Sequence, residues 1–256
     1  MRRSWHVAAA VGLTAALSAG VTGCGVVDDL RTTGFAKQDG AAIAAAASKA
    51  MADVTSMRLT GQVRVDGNPI LLDFSVGDDV CTGTMRFMKG HFAVRRVGER
   101  AWIKCDASAY NQVAGTRLSG AALGASSTTW VAANDPAILE LCDLDSFLDS
   151  FALVEPADTS GGQKRDKGNK GNKGGAQDSE VSFDDVTVGE ETSQDGARVV
   201  PIVVTPTETT WVLSEEPHYV IRVEDRTPRT GGSLNFSEFD RDVVVEAPKR
   251  KDVLTP

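Results

Sequence analysis

The chain has 256 residues, of which 41% are hydrophobic and 24% charged, a composition typical of a globular domain. Its formal net charge of -8 disfavours nucleic acid and anionic lipid head groups as general partners. Removal of the first 23 residues would take away Arg2 and Arg3 and no acidic residue, and the remainder is long enough for one sizeable hydrophobic core.

The first 23 residues have the parts of a secretory signal peptide. Arg2 and Arg3 form a cationic start, residues 7–19 are uncharged and rich in alanine, and small residues lead into Cys24. The uncharged run is shorter than the roughly 20 strongly apolar residues that a membrane-spanning helix needs. We therefore expect residues 1–23 to be removed.

The four residues Val21-Thr22-Gly23-Cys24 resemble the bacterial lipobox, in which a small or aliphatic pair and a glycine precede the cysteine. The resemblance implies a diacylglyceryl thioether on Cys24 and cleavage before it, and the alternative is ordinary secretion with an incidental thiol. Each buried methylene contributes about 0.8 kcal/mol, so two or three acyl chains hold a protein firmly on a bilayer. We expect a mature protein anchored to the extracytoplasmic face of the plasma membrane, with residues 24–38 as a tether.

The next segment predicts one helix followed by a run of strands. After Asp39-Gly40, apolar residues recur at helical spacing up to Val54. From Met57 the apolar period becomes two, and turn sequences such as Asp66-Gly67-Asn68-Pro69 interrupt it. The predicted strands are 57–65, 70–76, 81–87, 91–97 and 100–105, in the order of an antiparallel meander.

The middle of the chain predicts helices and then a polar insertion. A helical piece is expected at 107–113, an extended piece at 128–132, and a firmer helix from Asn134-Asp135-Pro136 to about Phe151. Residues 157–180 contain a Gly/Lys/Asn stretch without apolar side chains, which predicts a disordered insertion. The alternative for this stretch is a site for phosphate or an acidic polymer.

Strands are predicted again after the insertion, at 181–188, 198–205, 208–213, 218–224, 233–239 and 242–246. Roughly eleven strands and two or three helices within residues 39–256 indicate a single domain of the α+β class.

The exported part of the chain holds Cys81, Cys105 and Cys142, an odd number that predicts one disulfide and one remaining thiol. In the meander, Cys81 begins one strand and Cys105 ends the second strand after it, which separates them sideways by about 9–10 Å. Disulfide-bonded Cα atoms lie within about 7 Å of each other, so this pair is excluded. Cys142 is left to pair with either of the other two.

Catalytic signatures are missing from the sequence. The mature chain has only His91 and His218, without a His-Glu-x-x-His zinc motif or a Gly-x-Ser-x-Gly nucleophile elbow. The carboxylates after Cys142 begin like a calcium loop, but Leu148 stands where that loop needs a glycine. We expect no enzymatic activity, no metal and no cofactor.

Several short segments carry a family resemblance. They are Cys81-Thr82-Gly83-Thr84, Ala101-Trp102-Ile103-Lys104, Leu141-Cys142-Asp143-Leu144, Glu216-Pro217-His218-Tyr219 and Leu234-Asn235-Phe236-Ser237. Through them, the chain from about Asp39 to its end resembles the LppX/LprG-type lipoproteins of actinobacterial cell envelopes, which are similar in fold to the LolA lipoprotein carriers. The resemblance implies a strongly curved antiparallel half-barrel, helices on its concave face, and an apolar cavity between them that accepts acyl chains. It also favours a Cys81–Cys142 disulfide, with Cys105 as a buried thiol.

The function expected from this resemblance is the binding or carriage of the acyl chains of a lipid or lipoglycan. The alternative is a non-catalytic interaction lipoprotein with a filled core, which docks on another envelope protein. The apolar residues expected to line the cavity are Leu59, Val63, Leu72, Phe74, Met85, Ile103, Trp211, Leu213, Tyr219 and Ile221.

Overall fold

The computed structural model describes residues 32–107, 109, 127–133, 136–149 and 186–254. The expectations for the signal peptide, for Cys24, for most of the tether and of the helical piece 107–113, and for the insertion at 157–180 lie outside these residues. The chain divides into two units, residues 1–32 and 33–256, and every element described below belongs to the second unit.

Five long strands and the turns between them form the first half of the sheet. They are β1 (Ser56–Val65), β2 (Asn68–Gly77), β3 (Val80–Phe87), β4 (Gly90–Val97) and β5 (Arg100–Cys105). Each pairs antiparallel with the next, as the alternating pattern predicts. The β1–β2 turn consists of Asp66 and Gly67 with φ of 52° and 83°, the left-handed conformation that two-residue hairpin turns require.

The second half of the sheet contains shorter and less regular strands. They are β6 (Trp130–Ala132), β7 (Thr187–Val188), β8 (Thr192–Gln194), β9 (Ala197–Thr205), β10 (Glu208–Leu213), β11 (Val220–Asp225), β12 (Gly232–Ser237) and β13 (Val253–Leu254). β1 pairs with β12, which joins both halves into one sheet with the order β13-β6-β5-β4-β3-β2-β1-β12-β11-β10-β9-β7, and β8 also pairs with β9. The pairing is antiparallel everywhere except between β13 and β6. A large, open and mostly antiparallel sheet with few helices is therefore confirmed.

Three details of the sequence prediction need correction. The described part of the chain contains 13 strands where roughly eleven are predicted. The prediction misses β8 and β13, because they are too short to show a period. Residues 242–246 are not a strand, and residues 181–185 of another predicted strand lie outside the described part. The helix expected up to Phe151 divides into α2 (Pro136–Glu140) and α3 (Leu144–Asp149). The division follows from Asp143, whose Oδ1 accepts a hydrogen bond from the Ser146 N–H (3.2 Å) and so begins a new helix.

The first helix, α1 (Gly40–Ala52), forms where helical spacing predicts it. Asp39 caps it by accepting a hydrogen bond from the Ala42 N–H at 2.8 Å. Its buried residues include Ile43, Ala47 and Met51, which belong to the same hydrophobic cluster as the strand residues. One face of the sheet thus packs with α1 in the core, and we call it the core face; the other is the outer face.

The two ends of the sheet are named by their turns. Cys81 lies near the turns at 78–79 and 98–99, and we call this the disulfide end. The turns at 66–67, 88–89 and 206–207 lie at the opposite end, which we call the distal end.

Gly83 provides a direct test of core packing. It lies opposite Phe74 on the core face, and a Cβ at this position would overlap the Phe74 ring. We expect Gly83→Ala to lower the free energy of unfolding by about 1–3 kcal/mol, the usual cost of overpacking. Urea denaturation measures this loss. Gly34→Ala is the matched control, because a Cβ there has open space. Equal stability of the two variants would contradict the described packing.

Candidate functional site

The core face is closely packed toward the disulfide end. Met57, Leu59, Phe74, Val76 and Phe236 are all buried there and belong to one cluster. Of the residues expected to line a cavity, Leu59, Phe74, Met85 and Ile103 are in this buried cluster. Such residues form ordinary core contacts, so this half of the face leaves little accessible surface.

Toward the distal end the part of this face on and beside β1, β12 and β11 becomes more accessible, whereas Ile70, Met85 and Phe92 of β2 to β4 stay buried. Leu72 lies opposite Gly61, Gly61 lies opposite Leu234, and Leu234 lies opposite Val223. These residues form a row across β2, β1, β12 and β11, and each of them is only half-buried. We call the accessible region the apolar trough, and it consists of Gly61, Val63, Leu72, Val223, Gly232 and Leu234.

Two glycines form the floor of the apolar trough. A Cβ on Gly61 would overlap the backbone oxygen of Ser233, and a Cβ on Gly232 would overlap that of Gln62. Because both contacts are with the backbone of the neighbouring strand, no larger residue fits at either place without displacing that strand. The trough therefore has bare backbone at Gly61, between the side chains of Leu72 and Leu234, and at Gly232, beside Val63.

A pocket of about 330 Å³ adjoins the trough at the distal end. It is lined by Val65, Ile70, Phe87, Met88 and their neighbours in the two turns. Ile70 lies opposite Val63 of the trough, so the two features are continuous along the core face. Val65 and Met88 are 54% and 71% exposed, which leaves an apolar rim at the end of the sheet.

Three residues expected to line the cavity are not in the core cluster. Trp211 lies opposite Arg222 on the outer face, where the Arg222 guanidinium is 5.0 Å from the centre of the Trp211 ring. Leu213 shares that face, because alternate residues of a strand point the same way. Ile221 is the extra residue of a β-bulge between two registers. The core positions of β10 belong to Thr210 and Val212. The sequence prediction, which placed Trp211 and Leu213 there, is therefore wrong by one residue for this strand.

The remaining expected residues divide between the trough and the core edge. Val63 and Leu72 belong to the apolar trough, and Tyr219 packs at the edge of the cluster, with its ring stacked on Phe239 at 4.2 Å. Sequence reasoning missed Gly61, although a glycine inside a strand is a known sign of close backbone approach.

The structure places a disulfide between Cys81 and Cys142, with a Cα–Cα distance of 5.4 Å. It joins β3 to the turn between α2 and α3. Arg96 donates a hydrogen bond from Nη1 to the Cys142 carbonyl (2.9 Å), which fixes the same turn. Cys105 is a buried thiol opposite Phe92, at the other end of the strands from Cys81.

Tyr219 and Asp240 connect two loops at the disulfide end. The Tyr219 hydroxyl donates to Asp240, and the Asp240 Oδ1 also accepts from the Thr55 N–H at 2.8 Å and from the Thr55 hydroxyl at 3.0 Å. The hydrogen bond to Asp240, together with burial, raises the pKa of Tyr219 to about 12. The Thr55 N–H and the Tyr219 hydroxyl lower the pKa of Asp240.

This pair predicts a high-pH titration. The tyrosinate absorbance of the wild type minus that of Tyr219→Phe should rise with a midpoint near pH 12. The stabilising contribution of Tyr219 is complete below its unfolded pKa of about 10 and is lost as the pH rises through 12. For Asp240 the contribution is present above the unfolded pKa and is lost as the pH falls through the lowered folded value. A midpoint near pH 10 for Tyr219 would contradict this hydrogen bond.

The described residues contain no group of three or more His, Cys, Asp or Glu side chains that could hold a metal ion. Among the helices of the described ranges, none combines the length and the apolar character needed to cross a bilayer.

The solved structures that match include three that each cover 80% or more of this chain. LprF from Mycobacterium bovis matches with 13% identity and a TM-score of 0.49, over 82% of this chain and 96% of its own. The lipoprotein LppX of Mycobacterium tuberculosis matches with 12% identity and a TM-score of 0.43, over 80% and 97%. An uncharacterized conserved protein from Thermus thermophilus matches with 11% identity and a TM-score of 0.34, over 83% and 96%.

LprF and LppX, mycobacterial lipoproteins of the LppX/LprG type, are among the matched structures, and this is the type of protein that the sequence resembles. No family model matches the chain, and a search of curated proteins gives no match. With TM-scores below 0.5, we base the functional proposal on this chain's own residues.

Proposed function

We propose that this protein is a membrane-anchored, extracytoplasmic lipoprotein of an actinobacterial cell envelope that binds the acyl chains of a lipid or lipoglycan. In this proposal Cys24 carries the lipid anchor and residues 24–32 form the tether, which is shorter than the sequence predicts because Phe35 is buried in the core cluster. Residues 33–256 form one LolA-like domain with an insertion at 157–180. The sheet curves as a half-barrel, helices cover its concave face, and the protein carries out no catalysis.

The observation that supports this proposal is the change in burial along the core face. Apolar residues of the disulfide end are buried, whereas those of the apolar trough stay accessible and lead into a pocket of about 330 Å³. Accessible apolar surface beside a filled core costs free energy in water, because it gains nothing from burial. An acyl chain lying on Leu72, Leu234 and Val223 would cover that surface.

The anchor gives the trough an obvious source of ligand. Acylation of Cys24 would hold the domain next to a membrane, where lipids with acyl chains are abundant. The domain would then receive an acyl chain in the trough and pass it on, or sense its presence.

Two adjacent leucines of β2 allow a matched test of the trough. Leu72 points into it, whereas Leu71 is 46% exposed on the outer face. We expect Leu72→Glu to weaken the binding of a fluorescent fatty acid by about tenfold or more, because a carboxylate in an apolar site opposes burial of the chain. Leu71→Glu should bind like the wild type.

Equal binding by both variants would exclude the trough as the acyl site. A wild type that binds no fatty acid at all would instead favour the interaction lipoprotein with a filled core.

A further inference from the structure

Two carboxylates lie beside the apolar trough at the distal end. Glu208 of β10 is directly opposite Asp225 of β11, and Asp225 is directly opposite Gly232, which belongs to the trough. Glu208 and Asp225 follow the alternation of Thr210 and Val223, so they occupy core-face positions. The trough is therefore apolar along β1 and β2 and acidic at its β10–β11 side.

No cation balances these carboxylates within the described ranges. None of the ion pairs found there includes Glu208 or Asp225. Burial, and then the charge of Asp225, raise the pKa of Glu208. Burial alone would also raise the pKa of Asp225, but hydrogen bonds from Thr227 and Thr207 outweigh it and lower the pKa. The pKa values of the two carboxylates thus shift in opposite directions, and Glu208 is the one whose negative charge is disfavoured by its surroundings.

Thr210 adds an independent observation. Its side chain is 0% exposed, and its hydroxyl has no hydrogen-bond partner in the structure. It lies two residues from Glu208 on the same face, opposite Val223 of the trough. Buried hydroxyls nearly always have a partner. Because this hydroxyl has no accessible surface, a ligand head in the trough would reach it only after a shift of the side chains beside it, and that contact would supply the missing partner.

We propose that Thr210, Glu208 and Asp225 form the head-group end of the acyl site and select ligands whose polar head donates hydrogen bonds and bears no negative charge. This inference rests on the proposed function, since it concerns the same trough. Ionised carboxylates only accept hydrogen bonds, and a hydroxyl both donates and accepts. A hydroxyl-bearing head such as glycerol or a sugar would supply hydrogen bonds to Glu208 and Thr210, whereas a phosphate would bring a further negative charge beside two carboxylates.

A competition between two lipids that differ by one phosphate tests this selection. The full chain carrying Cys24→Ser, so that no acyl chain of its own anchor competes, is mixed with equimolar 1-palmitoylglycerol and 1-palmitoylglycerol 3-phosphate. Native mass spectrometry then measures the occupancy of each lipid. We expect palmitoylglycerol to exceed its phosphate by about tenfold or more.

Three variants assign the preference to the named groups. Glu208→Gln combined with Asp225→Asn should bring the two occupancies close to equal. Thr210→Val should lower the occupancy of palmitoylglycerol without loss of stability, because the change removes an unpartnered buried hydroxyl. Glu224→Gln is the control, since Glu224 pairs with Arg222 at 2.9 Å on the outer face, and it should keep the wild-type ratio.

Equal loading of both lipids on the wild type, or an unchanged ratio in the double variant, would overturn the head-group site while leaving the carrier proposal intact. Failure of the wild type to load either lipid would overturn the carrier proposal and this inference together.

Discussion

Replacement of Cys24 by serine is expected to move the protein almost completely from the membrane fraction to the soluble extracytoplasmic fraction. The physical reason is the acyl anchor. A single acyl chain holds a protein only marginally, whereas two or three hold it firmly at about 0.8 kcal/mol per buried methylene. Cys24→Ser removes this anchor, and the uncharged run at residues 7–19 is shorter than the roughly 20 apolar residues that a membrane-spanning helix needs.

Fractionation of an actinobacterial host that expresses each variant, with the intact mass of the mature protein, measures the effect. The wild type should carry added acyl mass on residue 24 and sediment with membranes. Cys105→Ser is the control for loss of a thiol elsewhere and should stay in the membrane fraction. A Cys24→Ser protein that still sediments with membranes would contradict the anchor.

The second large effect is expected from the disulfide. The Cys81–Cys142 bond has a sequence separation of 61 residues, and in the chain-entropy model a loop of this size contributes about 4 kcal/mol. We expect Cys81→Ala combined with Cys142→Ala to lower the free energy of unfolding by about 2–4 kcal/mol. The turn between α2 and α3 would lose its covalent link to β3 and would keep the hydrogen bond from Arg96 to the Cys142 carbonyl.

Urea denaturation under non-reducing conditions measures this loss, and a reductant should lower the stability of the wild type by a similar amount. Cys105→Ala is the matched control for removal of a buried sulfur. It keeps the disulfide, so a reductant should lower its stability as much as it lowers that of the wild type. A double variant as stable as the oxidised wild type would contradict the stabilising role of the disulfide. Peptide mapping that joins Cys81 to Cys105 would contradict the described strand order.

The first five strands could be predicted closely from the sequence. Between Ser56 and Cys105 the apolar residues mostly alternate, with exceptions such as Leu71 and Trp102, and each turn has residues suited to it, so burial and turn geometry give the same register. The strand prediction for 57–65 differs from β1 by one residue. In this part of the chain the local pattern and the tertiary structure agree, so the pattern alone predicts the strands.

The second half was harder, and β10 shows why. Trp211 and Leu213 are the larger apolar residues of that strand, so the pattern favoured them as core residues. The core positions belong to Thr210 and Val212, and a bulge between β10 and β11 shifts the alternation at Ile221. A bulge depends on the partner strand, which no local pattern contains.

The candidate site could be predicted only in part. Val63 and Leu72 were expected to face a cavity, but so were Leu59 and Phe74, which are fully packed. All four share the same alternation, and what separates them is the end of the sheet on which they lie. Gly61 and Gly232 leave part of the face without side chains. Each glycine is required by its close contact with the backbone of the neighbouring strand, β12 or β1, and a local pattern does not show that contact.

The central claim is that the protein binds acyl chains, and native mass spectrometry with lipid extraction tests it most directly. The Cys24→Ser chain is purified from an actinobacterial host and analysed without added lipid. We predict a co-purifying lipid close to one per protein, with a polar head rich in hydroxyl groups. If the purified protein is free of lipid, and if it also takes up no lipid when palmitoylglycerol is then added, the proposed acyl-chain binding is contradicted.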